Sequence, residues 1–577
     1  MTARRGALVV LILLGVVAAT VLFFSINGPR PMPALTGSTV LVLDVPSALD
    51  EGQPPPSALS FSLVRPRRVT LWDVVNGLRR AAEDDRVEAL VLHLDGVDWG
   101  WAKLAEVRDA ILDFRRSGKP VYASMAGGGE AEYLLASTAG TIACPPLAVL
   151  QLDGLRISAL FMRGTFDKLD IHPNFAHVGQ YKSAVESYTN TGMSAPARAA
   201  LEALLDDTYR WLLDSLAVAR GIPSDSVARL LDDGPFSAPE AMARGLVDTV
   251  LYQAEVDSLA TRASGKRHAA LSFVRYLERM SRPATGSRIA LVVASGTIVP
   301  GRSRQSAGSG ELLGSETVIK ALRQASERAG VKAVILRVDS PGGDAPAADD
   351  IWSAVHRCAA RKPVIASLSD YAASGGYYIA VAADSIVTQP TTITGSIGVY
   401  GGKLNLLGLY RKLGLNVETV ARGRHAEMLS PFSDFTPEEA ARFESRMRVT
   451  YDTFVSRVVA GRGLDSARVD EVGQGRVWSG VSARAVGLVD SYGGIEKALD
   501  MARRRAGIGR GESVVIEIYP KDERTLFQRW VAEAFGSDDD DLRLLDRLPP
   551  IVRAWLAVAE LSRSHVLALL PCSLEIR

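Results

Sequence analysis

Cysteine is scarce in this chain of 577 residues, which has Cys144, Cys358 and Cys572 and no CxxC pair. An odd, widely spaced set excludes a disulfide framework and a thiolate zinc site. The chain also lacks an HExxH helix, a GxxxxGKS/T phosphate loop and an acidic metal-binding loop, so no metal and no cofactor is expected. A net charge of +1, with both signs mixed along the chain, offers no basic face and no nucleic-acid partner.

Charge is missing in one place that matters. Arg4 and Arg5 precede residues 6–26, which carry none. As a helix rising about 1.5 Å per residue, that run crosses a hydrocarbon core of about 30 Å. A cleaved signal peptide has a shorter apolar core, of about 7 to 15 residues, and a small-x-small site, which VLFFSINGPRP does not offer. Residues 1–28 are therefore expected to be an uncleaved membrane anchor. The flanking arginines stay on the cytoplasmic side and the remainder lies outside.

Two glycine motifs carry the chemistry. KAVILRV (332–338) is short, apolar and β-branched, a buried strand, and Ser340-Pro341-Gly342-Gly343 ends it with residues that leave backbone amides free to bind an oxyanion. KPVIASL (362–368) is the next strand. After it, Ala372-Ala373-Ser374-Gly375-Gly376 places a hydroxyl at the start of a helical segment of small residues, over 377–383. Either motif alone reads as a glycine turn of an α/β sheet. Together, and followed by TGSIG (394–398), they read as a serine nucleophile with its oxyanion hole.

In that order, DSPGG, AASGGY and TGSIG resemble the protease IV, or signal peptide peptidase A, family of the ClpP/crotonase superfamily. The long form of that family is internally duplicated, and so is this chain. VEALVLHLD (87–95) lies over VKAVILRVD (331–339), GKPVYAS (118–124) over RKPVIAS (361–367), and FSAPEAMARGLVD (236–248) over WSGVSARAVGLVD (478–490), all at nearly one offset. Strand-like runs alternate with amphipathic ones such as TLWDVVNGLRRAAED (70–84), the pattern of βα crossover units around a mainly parallel sheet. The expected fold is α/β: two tandem ClpP/crotonase-like βα domains after an N-terminal transmembrane helix. Its parts are the anchor over 1–28, a first copy over 35–260, a connector over 261–287, a second copy over 288–505 and a C-terminal extension over 506–577. The resemblance implies that the connector packs against the other copy. The tail, with LPPIVRAWLAVAELS (548–562), reads as a helix packed on the body or on a neighbouring subunit.

The copies differ where chemistry would be done. In the first, Asp95-Gly96-Val97-Asp98-Trp99 replaces DSPGG, and Glu130 stands at the nucleophile position. In the second, Arg424 or His425 stands opposite Lys182. Each half lacks what the other holds, which predicts one site assembled across both. A lysine serves as base only when burial lowers its pKa, from about 10.4 by up to about 3 to 5 units. Lys182 is singled out because GQYKSAVE resembles the family's lysine motif, not by its spacing.

The resemblance then implies a Ser/Lys dyad, with Ser374 as nucleophile, Lys182 as general base, Ser396 orienting the lysine, and the amides of Gly343 and Gly375 binding the oxyanion while Gly342 shapes the turn. It implies a serine endopeptidase acting on remnant signal peptides and other unfolded apolar polypeptides. It further implies a homotetrameric bowl on the outer side of the bacterial inner membrane, held by a single span. The competing Ser/His/Asp mechanism of the ClpP branch would place its histidine where this chain has Val399, which leaves His425 as the alternative base. Two other readings belong to different classes: a crotonase-like acyl-CoA enzyme, and a catalytically inactive membrane scaffold.

Overall fold

The computed structural model describes residues 37–53, 68–262, 269–280, 285–306, 310–521, 566–569 and 576. The expected anchor and most of the tail, including 548–562, lie outside the described residues. Among those described, no helix is long and apolar enough to cross a membrane.

The duplication is built strand for strand. In the first copy a six-stranded sheet runs Thr249–Val250, Thr141–Cys144, Val121–Met125, Val87–Leu94, Thr39–Asp44, Ala269–Ser272, every pair parallel. The second repeats that order as Ser491–Tyr492, Ser385–Thr388, Val364–Ala373, Val331–Ser340, Ser287–Ser295, Val514–Tyr519. The central strands are buried on both faces, as parallel strands between helices must be. Two flanking pieces thus prove to be sheet edges. Ala269–Ser272, in the span read as a connector, pairs with the first strand of the first copy, and the following helix Phe273–Arg279 packs on that same copy, pressing Phe273 and Leu277 against Gly77. Val514–Tyr519, in the span read as an extension, closes the second sheet.

The copies share a core. The helices Leu71–Glu83 and Trp101–Arg116 of the first bury Leu71, Val75, Leu104 and Ile111 in one apolar cluster with Ile289, Ile335, Ile365 and Leu499 of the second. Fully burying such a side chain stabilises by roughly 1.5–3 kcal/mol, so apolar packing holds the copies together across the seam.

A third sheet crosses the seam. His172–Val178 of the first copy pairs antiparallel along its length with Val399–Asn405 of the second. On the other edge of Val399–Asn405 runs Val566–Leu569 from the tail, which pairs in turn with Gly342–Asp344. Beyond it lie Thr297–Val299, Gly310–Gly314 and Arg304–Ser306. This sheet delivers the end of His172–Val178, and the loop that follows, to the second copy.

Candidate active site

Ser374 sits where the strand Val364–Ala373 turns into the short helix Gly375–Ala380. Its backbone is at φ 54°, ψ −114°, a conformation that costs a non-glycine residue on the order of 1–3 kcal/mol and needs surroundings that enforce it. They do. The Ser374 N–H donates to the Gly395 carbonyl at 2.7 Å, and the Tyr378 N–H donates back to the Ser374 carbonyl at 2.8 Å. Gly376 packs against Ser340, where a Cβ would meet the carbonyl oxygen at 2.4 Å, so the glycine-rich turn and the end of the neighbouring strand come into direct contact.

Lys182 arrives from the first copy. After Val178 the chain passes Gly179 and Gln180, and the Tyr181 N–H donates to the Gln474 carbonyl at 2.8 Å, docking the loop on the second copy. The side chain is completely buried, with Nζ 2.7 Å from Ser374 Oγ, 3.0 Å from Ser396 Oγ and 3.1 Å from the Ser396 carbonyl. Among the described residues, no carboxylate touches it. Burial alone therefore acts on the amine and pulls its pKa well below the usual lysine range. A neutral amine has two N–H groups and one lone pair. That is enough to donate to both oxygens of Ser396 and leave the lone pair on the side of Ser374 Oγ. Ser396 is itself fixed, at φ 50°, by its N–H donating to the Arg476 carbonyl at 2.8 Å.

The glycine turn completes the group. Gly342 and Gly343 have φ of 104° and 155°. The Gly342 N–H donates to Ser340 Oγ at 3.2 Å, so this amide is engaged within its own turn. A Cβ on Gly343 would lie 2.0 Å from the Ile298 carbonyl oxygen, so only glycine fits there.

The equivalent turn of the first copy is filled from within. Glu130 Oε1 accepts the N–H groups of Asp153 and Gly154 at 2.9 and 2.7 Å, and Glu132 accepts those of Val97 and Gly129 at 2.6 and 2.9 Å. Carboxylates thus take up backbone amides around the turn where the second copy has Ser374. His425 has its imidazole beside Glu438 and Glu439, at 3.4 and 3.7 Å, and makes no hydrogen bond to Ser374. Arg424 is exposed beside Glu438.

A family model for peptidase family S49 matches the chain twice, over residues 113–266 and 356–509. The chain belongs to peptidase family S49. It is 35% identical to the chloroplastic serine protease SPPA of Arabidopsis thaliana over 76% of this chain and 66% of that protein. It is 31% identical to Protease 4 of Haemophilus influenzae over 87% of this chain and 84% of that protein. Among solved structures, a ClpP1 mutant from Listeria monocytogenes matches 36% of this chain and 94% of its own, at 14% identity and a TM-score of 0.24. The α/β assignment rests instead on the strand order described above. As a duplicated member of family S49 the protein is a serine endopeptidase.

One residue packed on Lys182 escaped the sequence. Gly475, at φ 78°, lies under Lys182, and a Cβ there would stand 2.5 Å from the Lys182 N and 2.6 Å from its Cα. Nothing in VGQGR separates it from the other 50 of the chain's 51 glycines, because its partner is remote in sequence.

Proposed function

We propose that this S49 peptidase works through a Ser374/Lys182 dyad assembled from both copies. The observation that carries the reading is a fully buried lysine amine, with no counter-ion among the described residues, 2.7 Å from a serine hydroxyl 192 residues away. The neutral Lys182 amine takes the Ser374 proton as Oγ attacks the scissile carbonyl. The N–H groups of Gly343 and Gly375 hold the oxyanion; one such donor typically contributes about 2.7–4 kcal/mol to the transition state. The Lys182 ammonium then gives its proton to the leaving amine. In deacylation the amine takes a proton from water, and hydroxide attack on the acyl carbonyl followed by return of the proton frees Ser374.

The substrates proposed are remnant signal peptides and other unfolded apolar segments, cleaved outside the bacterial inner membrane by an anchored homotetramer. The uncharged run over 6–26 supports the anchor, and the likeness to Protease 4 and SPPA supports cleavage of polypeptides. Ser374→Ala and Lys182→Ala should each lower hydrolysis of an unstructured apolar peptide by about 10³-fold or more, with folding intact by circular dichroism. A Lys182→Ala protein that kept most of the wild-type rate would remove the dyad and turn attention to His425.

A further inference from the structure

Lys103, in the helix Trp101–Arg116 of the first copy, ends between two carboxylates of the second. Its Nζ is 2.7 Å from Asp339 Oδ2 and 3.5 Å from Asp370 Oδ2, and its own N–H donates to Asp370 Oδ1 at 2.9 Å. Lys103 and Asp339 side chains are each only 12% exposed and Asp370 7%, so water does little to screen the charges. Burial pulls the lysine toward neutrality, but Asp339, Asp370 and Glu51 outweigh it and keep the ammonium charged.

The placement of the two carboxylates gives the contact its meaning. Asp339 immediately precedes Ser340-Pro341-Gly342-Gly343, and Asp370 immediately precedes Tyr371-Ala372-Ala373-Ser374. Their strands are neighbours, and the register between them breaks here: Val338 pairs with Leu368 but Ser340 pairs with Ala372, so the nucleophile strand bulges around Asp370. Asp339 Oδ1 accepts the Tyr371 N–H across the bulge at 3.1 Å. Pairing resumes only at Ser340 and Ala372, so backbone bonds do not hold the break itself. Side chains bridge it, and two of them are like charges with the Lys103 cation between them.

We propose that Lys103 is a positioning residue, a cationic strut from the first copy that sets the glycine turn and the nucleophile strand at the spacing the tetrahedral intermediate requires. The first copy then shapes the oxyanion hole as well as supplying the base. The inference rests on Ser374 and Gly343 acting as described above. An oxyanion donor works only near 2.7–3.1 Å, and a misplacement of about 1 Å can cost about 10²-fold.

The test is the rate at which a fluorophosphonate labels Ser374, read by peptide mass spectrometry, together with kcat and KM on a peptide. Lys103→Met should slow labelling and lower kcat by roughly 10- to 100-fold, with KM little changed. Because removing one partner of a buried ion pair also destabilises, the assays run well below each variant's thermal midpoint. Lys103→Arg, which keeps the charge, should recover most of the rate. So should Asp339→Asn placed on Lys103→Met, which removes the repulsion without restoring the lysine. Wild-type labelling in Lys103→Met would overturn the proposal, as would slow labelling that neither rescue relieves. Failure of the wild type to label at Ser374 would instead remove the dyad reading, and this proposal with it.

Discussion

Gly475 and Lys182 meet backbone to backbone, closer than any side chain on Gly475 would permit. The contact comes from the second copy and presses on the residue the first copy lends to the site. Gly475→Ala would place a Cβ 2.5 Å from the Lys182 N at a φ of 78°. The strain, about 1–3 kcal/mol, must be relieved by moving the loop that carries the lysine. Peptidase activity should fall by about 10- to 100-fold, while Gly487→Ala, also at positive φ but with no contact nearer than 3.5 Å, should leave kcat within about threefold of wild type.

The buried amine has two consequences for pH. Only the neutral form accepts the serine proton, so kcat/KM should rise with pH through an apparent pKa well below the usual lysine range. A profile of imidazole type that vanished in His425→Ala would contradict this.

The same burial should cost stability at neutral pH. The folded pKa of Lys182 is depressed, so the unfolded chain binds the extra proton between the folded pKa and about 10.4, and stability gains with pH across that window. Lys182→Met should abolish activity yet raise the thermal midpoint at neutral pH. The gain should shrink as pH approaches about 10. Calorimetry of both proteins at two pH values reads the difference directly.

Placement is testable apart from chemistry. A phosphatase fused after Arg577 should be active outside the membrane, and carbonate washing should leave the full chain in the membrane fraction. Deleting residues 1–28 should release a form that still cleaves soluble peptides. Residues 288–577 alone hold Ser374 and Ser396 but no Lys182, and should not; activity from that piece would contradict assembly across the copies.

How much of this was legible follows from where each signal lies along the chain. VKAVILRV and KPVIAS announce their strands because parallel strands buried on both faces are apolar throughout, and the glycine turn beside Ser374 is local. The pairing of His172–Val178 with Val399–Asn405 is a different case. HPNFAHV is half-buried and of mixed polarity, so nothing in it specifies a partner in the other copy. Lys182 therefore stood out only through resemblance, and Lys103 and Gly475 did not stand out. The edge strand Ala269–Ser272 escaped too, since AALS is short and begins with exposed residues.

A division of labour between the copies also sets when the enzyme becomes dangerous. A chain made from its N-terminus at about 5–20 residues per second exposes the first copy, with Lys182 and no nucleophile, before Ser374 exists. The lysine has nothing to activate until the second sheet has folded against it and Gly475 has closed beneath it. On the proposed dyad, the peptidase is chemically silent through most of its own synthesis.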